Sequence, residues 1–151
     1  MNKPVCLVTG VGPGTGTACV RRFAEEYEVA MLARSEDRLT ALAEEIPTAH
    51  AYPCDVTDTE LLKQTIAQIG ADLGDPEVVV HNAVGGAFGS FLEIEPEVLE
   101  RNFQVNTMAL LHLGREVTPK MIDNGKGAIV ITGNTSAFRG LANFAGFAPS
   151  K

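Results

Sequence analysis

Tryptophan is absent and tyrosine occurs only twice, at Tyr27 and Tyr52. Cysteine is scarce too: Cys6, Cys19 and Cys54 are odd in number, far apart and without a CxxC, which excludes a disulfide framework and points to reduced thiols. The three histidines, His50, His81 and His112, lack the close His, Cys or carboxylate spacings of zinc or iron ligands, so no metal site is expected. No apolar run approaches the ~20 residues a bilayer-spanning helix needs. Basic residues are outnumbered, 12 against 19 acidic, and the formal net charge of −7 argues against nucleic acid and anionic lipid surfaces as partners. A cytoplasmic address is expected by default.

What is present is one soluble domain's worth of core, with 45% hydrophobic and 21% charged residues over 151 positions. Short apolar runs at Val5–Thr9, Val29–Ala33, Ala49–Tyr52, Val78–His81 and Ala128–Thr132 read as strands. The second, fourth and fifth are near-continuous, as strands covered on both faces require. Between them, helical spacing joins Val20, Phe23 and Tyr27, then Leu39, Leu42 and Ile46, then Leu62, Ile66, Ile69 and Leu73. Thr57 and Glu60 have capping-box spacing, and Pro96 opens a fourth helix that runs to about Asn124 and Gly125. Strands alternating with helices predict an α/β domain with a parallel sheet. The next helix is due near Pro149, yet the sequence stops at Lys151, so 128–132 is expected to form an open sheet edge and the chain to be truncated.

The first strand leads straight into Thr9-Gly10-Val11-Gly12-Pro13-Gly14-Thr15-Gly16 and then a helical run. Glycines at such a junction let the backbone turn tightly, approach a pyrophosphate and pack the helix, whose N-terminus faces the anion. The spacing is not GxGxxG, and no Gly-Lys-Ser/Thr follows, which excludes a Walker-type loop. A merely flexible turn is the other reading, and dinucleotide binding is preferred. About twenty residues on, a carboxylate would grip the ribose 2′-hydroxyl of NAD, whereas an arginine would accept the 2′-phosphate of NADP. Here the second strand ends Ala33-Arg34-Ser35 without a carboxylate, so NADP(H) is favoured over NAD(H). An exposed Arg34 beside Glu36, Asp37 and Arg38 is the alternative. Gly85, Gly86 and Gly89 form a pliable stretch after the fourth strand, where ligands of open α/β sheets sit, or else an ordinary surface loop.

Together these residues resemble the short-chain dehydrogenase/reductase family of NAD(P)-dependent oxidoreductases, over essentially the whole chain. TGVGPGTG at 9–16 is similar to its TGxxxGxG, and Cys54-Asp55-Val56 to its Asp-Val pair, which implies Asp55 against the adenine. His81-Asn82-Ala83-Val84 is similar to its Asn-Asn-Ala-Gly, with His81 and Val84 departing, and Asn106 falls at its helix-four asparagine. The resemblance implies a Rossmann-type doubly wound sheet of strand order 3-2-1-4-5 that lacks the C-terminal part of the family fold. It also implies a single NAD(P)-binding domain over 1–151, a small-molecule carbonyl or alcohol substrate, and a homodimer or homotetramer. Thr9, Gly10, Gly12, Gly14, Thr15, Gly16, Arg34, Asp55, Val56, Asn82, Ala83 and Lys151 are the implied cofactor contacts.

Asn106 also stands out by itself. Leu99, Phe103, Asn106, Leu110, Leu113 and Val117 are spaced 4, 3, 4, 3 and 4, which sets an amide in an apolar stripe. It is either a core asparagine bonded to nearby backbone or, by resemblance, part of a water link to the active-site lysine. The family's catalytic group is Ser, Tyr and Lys, the last two spaced YxxxK. Here the segment reads Phe147-Ala148-Pro149-Ser150-Lys151, and thirteen residues before Phe147 stands Asn134, followed by Thr135 and Ser136. Lysine is kept, tyrosine is phenylalanine and serine is asparagine. The implied catalytic positions are therefore Asn106, Asn134, Phe147 and Lys151, and the usual proton relay cannot run through Phe147. Two functions follow: an atypical NADP(H)-dependent oxidoreductase, or a nucleotide-binding sensor or partner subunit that has lost hydride chemistry.

Overall fold

The computed structural model describes residues 3–151; Met1 and Asn2 lie outside it. Five strands, β1 (Val5–Thr9), β2 (Glu28–Ala33), β3 (Ala49–Pro53), β4 (Pro76–His81) and β5 (Ala128–Ile131), form one sheet. Its order is β3-β2-β1-β4-β5, and every neighbouring pair is parallel, as the resemblance implies. Because side chains alternate along a strand, β1 feeds two cores. Val5 and Leu7 pack with Leu62, Ile69, Leu113 and Val117, whereas Cys6 and Val8 pack with Val20, Leu39 and Leu42. Helices α1 (Thr15–Phe23) and α2 (Glu36–Glu45) therefore cover one face. Helix α3 (Thr59–Asp72) and the later α5 (Ala109–Asp123) cover the other, which is the doubly wound arrangement.

Several local expectations are corrected. Tyr27 lies beyond the end of α1, in the turn before β2, where its ring meets Phe23 edge-on at 5.5 Å. Asp58, not Thr57, caps α3: its carboxylate accepts the Leu61 N–H at 3.0 Å. Thr57 instead donates its N–H and hydroxyl to Asp55. The fourth helix ends near the expected Asn124 but is not uniform, since α4 (Pro96–Phe103) passes through a π-helical turn at Gln104–Met108 before continuing as α5. That turn adds a residue to one revolution and shifts the buried face. The inward positions are consequently Asn102, Asn106, Ala109, Leu113, Val117 and Met121, and Phe103 is partly exposed.

Strand β5 is the open sheet edge expected for 128–132, but it is not covered on both faces as its near-continuous apolar run predicts. It pairs with β4 alone, and all four of its residues are exposed, Val130 and Ile131 to about half. Nothing among the described residues packs over that edge. Together with Leu111 and Ile122 of α5 it leaves an apolar surface open.

Candidate functional site

The carboxyl ends of β1 and β4 diverge because the chain leaves them on opposite sides of the sheet, and this switch point opens a cleft of about 740 Å3. One wall is the glycine loop. Gly10 has φ +69°, and a Cβ there would fall 2.4 Å from the Ala83 nitrogen; a Cβ on Gly16 would fall 2.4 Å from the Gly10 carbonyl oxygen. Both glycines are therefore dictated by backbone crowding. Around Gly12 and Gly14 there is open space, so these two leave the floor of the cleft clear. Helix α1 starts just behind, with no carboxylate in its first turn to compete for an anion.

Of the expected cofactor contacts, Lys151 does not line the cleft, and neither does Thr9. Thr9 is fully buried beneath the cleft, where its Oγ1 accepts the N–H groups of Asn82 and Ala83 and bonds His81 Nδ1 at 3.0 Å. With both lone pairs engaged, the Thr9 hydroxyl donates to Nδ1, which assigns the histidine proton to Nε2. That Nε2 has no hydrogen-bond partner. Burial, opposed by a backbone contact at Val105 and reinforced by the charge of Lys151, lowers the His81 pKa to about 4. Asn82 donates its amide to the Gly10 carbonyl at 2.9 Å, tying the loop to β4.

Gly10, Gly12, Gly14, Thr15, Gly16, Arg34, Asp55, Val56, Asn82 and Ala83 all line the cleft. Among the further lining residues that sequence reasoning missed are Arg38, Arg101 and Asn102. Arg38 lies in the first turn of α2, near the expected 2′-phosphate position. Asn102 was hidden because the π turn moves it, rather than Phe103, to the inward face. Burial would raise the Asp55 pKa, but the Thr57 N–H and hydroxyl, helped by the Arg34 and Arg101 guanidiniums, lower it below the usual range. Asp55 is thus a fixed anion on the cleft wall.

At the other end, Asn106 is buried and its amide is fully bonded. Its Oδ1 accepts the Gly85 N–H, and its Nδ2 donates to the Gly85 carbonyl and to Ser150 Oγ, each at 2.8 Å. Ser150 Oγ donates on to the Phe147 carbonyl, and Thr107 Oγ1 donates to the Ser150 carbonyl. Asn102 donates to the Gly146 carbonyl. The π turn and the segment 146–150 are therefore stitched together, and this sets Lys151. Its Nζ donates to the Thr132 carbonyl at 2.8 Å and stands 5.8 Å from the Phe147 ring centroid; partial burial lowers its pKa.

Phe147 packs so closely on the cleft wall that a Cβ on Gly86 would lie 3.2 Å from its ring. Asn134 caps a 3-10 turn (Thr135–Ala137), its Oδ1 accepting the Ser136 N–H at 2.9 Å, and that turn packs on the turn carrying Ser150. No tyrosine is close. Tyr52 is on β3 at the opposite sheet edge, bonded to Asp72, with burial and that carboxylate raising its pKa to about 12.

A parallel, doubly wound sheet with a glycine-lined cleft at its switch point defines a Rossmann-type protein. Residues 4–151 match the family model described as short chain dehydrogenase, and the chain belongs to that family. Similar proteins include epidermal retinol dehydrogenase 2 of Mus musculus, 28% identical over 97% of this chain and 50% of its own length. D-erythrulose reductase of Gallus gallus is 33% identical over 96% of this chain and 58% of its own. Among solved structures, a short-chain dehydrogenase from Streptomyces avermitilis superposes with a TM-score of 0.92 at 27% identity, covering 99% of this chain and 56% of that one. An NAD+-bound xylitol dehydrogenase superposes with a TM-score of 0.90 at 28% identity, covering 99% and 60%. The chain thus spans about half the length of the curated relatives it matches.

Proposed function

We propose that this chain forms the cofactor-binding part of an NADP(H)-dependent oxidoreductase acting on a carbonyl or alcohol, with a site that lacks the usual tyrosine hydroxyl. The observation that carries this is the cleft itself: open floor at Gly12 and Gly14, a helix N-terminus free of carboxylates, and Arg34 with Arg38 at its rim. The pyrophosphate would lie over residues 12–16, the 2′-phosphate at Arg34 and Arg38, and the adenine by Asp55 and Val56. Asn82, Ala83 and Lys151 would reach the nicotinamide half. When bound, the nicotinamide supplies or accepts hydride.

The chain's own residues have three tasks there. The Asn106 clamp fixes Lys151 through Ser150. Lys151, with its lowered pKa, holds a proton at Nζ that it can deliver to a carbonyl oxygen directly or through water. The Asn134 carbonyl is engaged with Ser136, which leaves its Nδ2 free to orient a substrate carbonyl. Phe147 supplies an apolar wall.

A second reading is favoured by Phe147 itself: a cofactor-binding sensor or partner subunit without hydride chemistry. Single-turnover oxidation of bound NADPH by a panel of carbonyl compounds separates the two. Turnover that disappears in Lys151→Met supports the enzyme, and tight binding with no turnover supports the sensor. The apolar surface of Leu111, Ile122, Ile129 and Ile131 supports association with further copies or a covering element.

A further inference from the structure

We propose that the carbonyl compound handled at this site is bulky and apolar, an aryl or long-alkyl ketone or aldehyde, and that Phe88 is a specificity-determining residue for it. The inference rests on the oxidoreductase reading above and adds the substrate class. Two uncharged segments build the wall concerned. Residues 84–92 carry no ionisable side chain, and neither do residues 140–150. They are joined: the Gly89 N–H donates to the Asn143 carbonyl at 2.9 Å, and Gly89 bridges Phe144 in strand fashion.

That bridge stacks three aromatic rings in a row. Phe88 meets Phe144 edge-on at 5.2 Å, Phe144 meets Phe147 at 6.5 Å, and Phe147 in turn lies beneath the Lys151 nitrogen. The row therefore begins at the reacting end of the site and runs outward without interruption. Its outer end is open, since Phe88 and Phe91 are each 79% exposed and Leu92 83%. An apolar wall of this kind, continuous with Lys151, forms an apolar lane for a substrate tail. Replacing tyrosine by Phe147 extends the lane to the reacting carbonyl. A polyhydroxylated substrate would find almost no hydrogen-bonding side chain along it.

The test is equilibrium binding of the alkan-2-ones from butanone to decan-2-one, and of dihydroxyacetone, to the full chain with and without NADPH, by ligand-observed NMR. The lane predicts saturable one-to-one binding that tightens about fourfold per added methylene until the row is covered. Dihydroxyacetone should bind more weakly than any of them. Phe88→Ala should flatten the dependence at the longer ketones while leaving NADPH binding unchanged. A flat series, tighter binding of dihydroxyacetone, or an unaltered slope in Phe88→Ala would overturn the proposal. So would a change in oligomeric state in Phe88→Ala with no change in slope, which would make the rings a contact between copies. If NADPH does not bind, the cofactor reading fails, and the series in its absence still decides the lane.

Discussion

Lys151 Nζ stands 5.8 Å above the Phe147 ring, where the family pattern would place a phenol, and it donates to the Thr132 carbonyl instead. Ser150, bonded to Asn106, adjoins the lysine and holds it in position, and the Phe147 ring beside it has no proton to transfer.

Restoring the hydroxyl is the direct consequence. Phe147→Tyr places a phenol beside a cation that favours its ionised form. Positioned general acids contribute about 10²–10⁴-fold. If the wild type lacks hydride chemistry, NADPH oxidation with a carbonyl substrate should rise by about that factor in the variant, with NADPH affinity unchanged. An unchanged rate on top of real wild-type turnover would assign the proton to Lys151.

Arg34 should select the cofactor. A charge-assisted contact with the 2′-phosphate is worth about 1.5–3 kcal/mol. Arg34→Ala should therefore weaken NADPH binding roughly ten- to a hundredfold and leave NADH binding within twofold, as read by the fluorescence of the reduced cofactor.

The loop glycines should separate into two kinds. Gly16→Ala forces a Cβ against the Gly10 carbonyl and should lower stability by about 1–3 kcal/mol, seen as a reduced urea midpoint. Gly12→Ala meets nothing in the fold, so its stability should stay within about 0.5 kcal/mol. A methyl on the cleft floor should nevertheless weaken NADPH at least threefold.

His81 should set an acid limit. Its pKa is held near 4 in the fold against an ordinary value of 6.5, so the unfolded chain binds the extra proton between those values. Stability from this group is present in full above pH 6.5 and is lost as pH falls toward 4, by an amount on the order of 2–3 kcal/mol. Urea midpoints of His81→Asn should fall less steeply than the wild type across that window. Parallel slopes would contradict the neutral, buried assignment.

The strands and the glycine-lined cleft were legible because they rest on local signals, short β-rich runs and a glycine-rich junction, whereas the order of the sheet came only from the family resemblance. The shift that buries Asn102 was not, because a π turn leaves no periodic trace; the apolar spacing through Leu99, Phe103 and Leu110 fits an unbroken α-helix. Thr9 looked like a cofactor contact from its motif, yet the pairing of β1 with β4 makes it a buried bracket for His81 and Asn82. Neither the Gly89–Phe144 bridge nor the row of rings is visible in sequence, since the bridge joins segments more than fifty residues apart.

The central claim is that the cleft is an NADP(H) site, and titrating the folded chain with NADPH and NADH tests it most directly. With no tryptophan to interfere, the cofactor's own fluorescence reports binding. The account predicts saturable binding of both, with NADPH preferred by tenfold or more, about 1.4 kcal/mol. Binding of neither cofactor to a chain shown to be folded, or a preference for NADH, would contradict it.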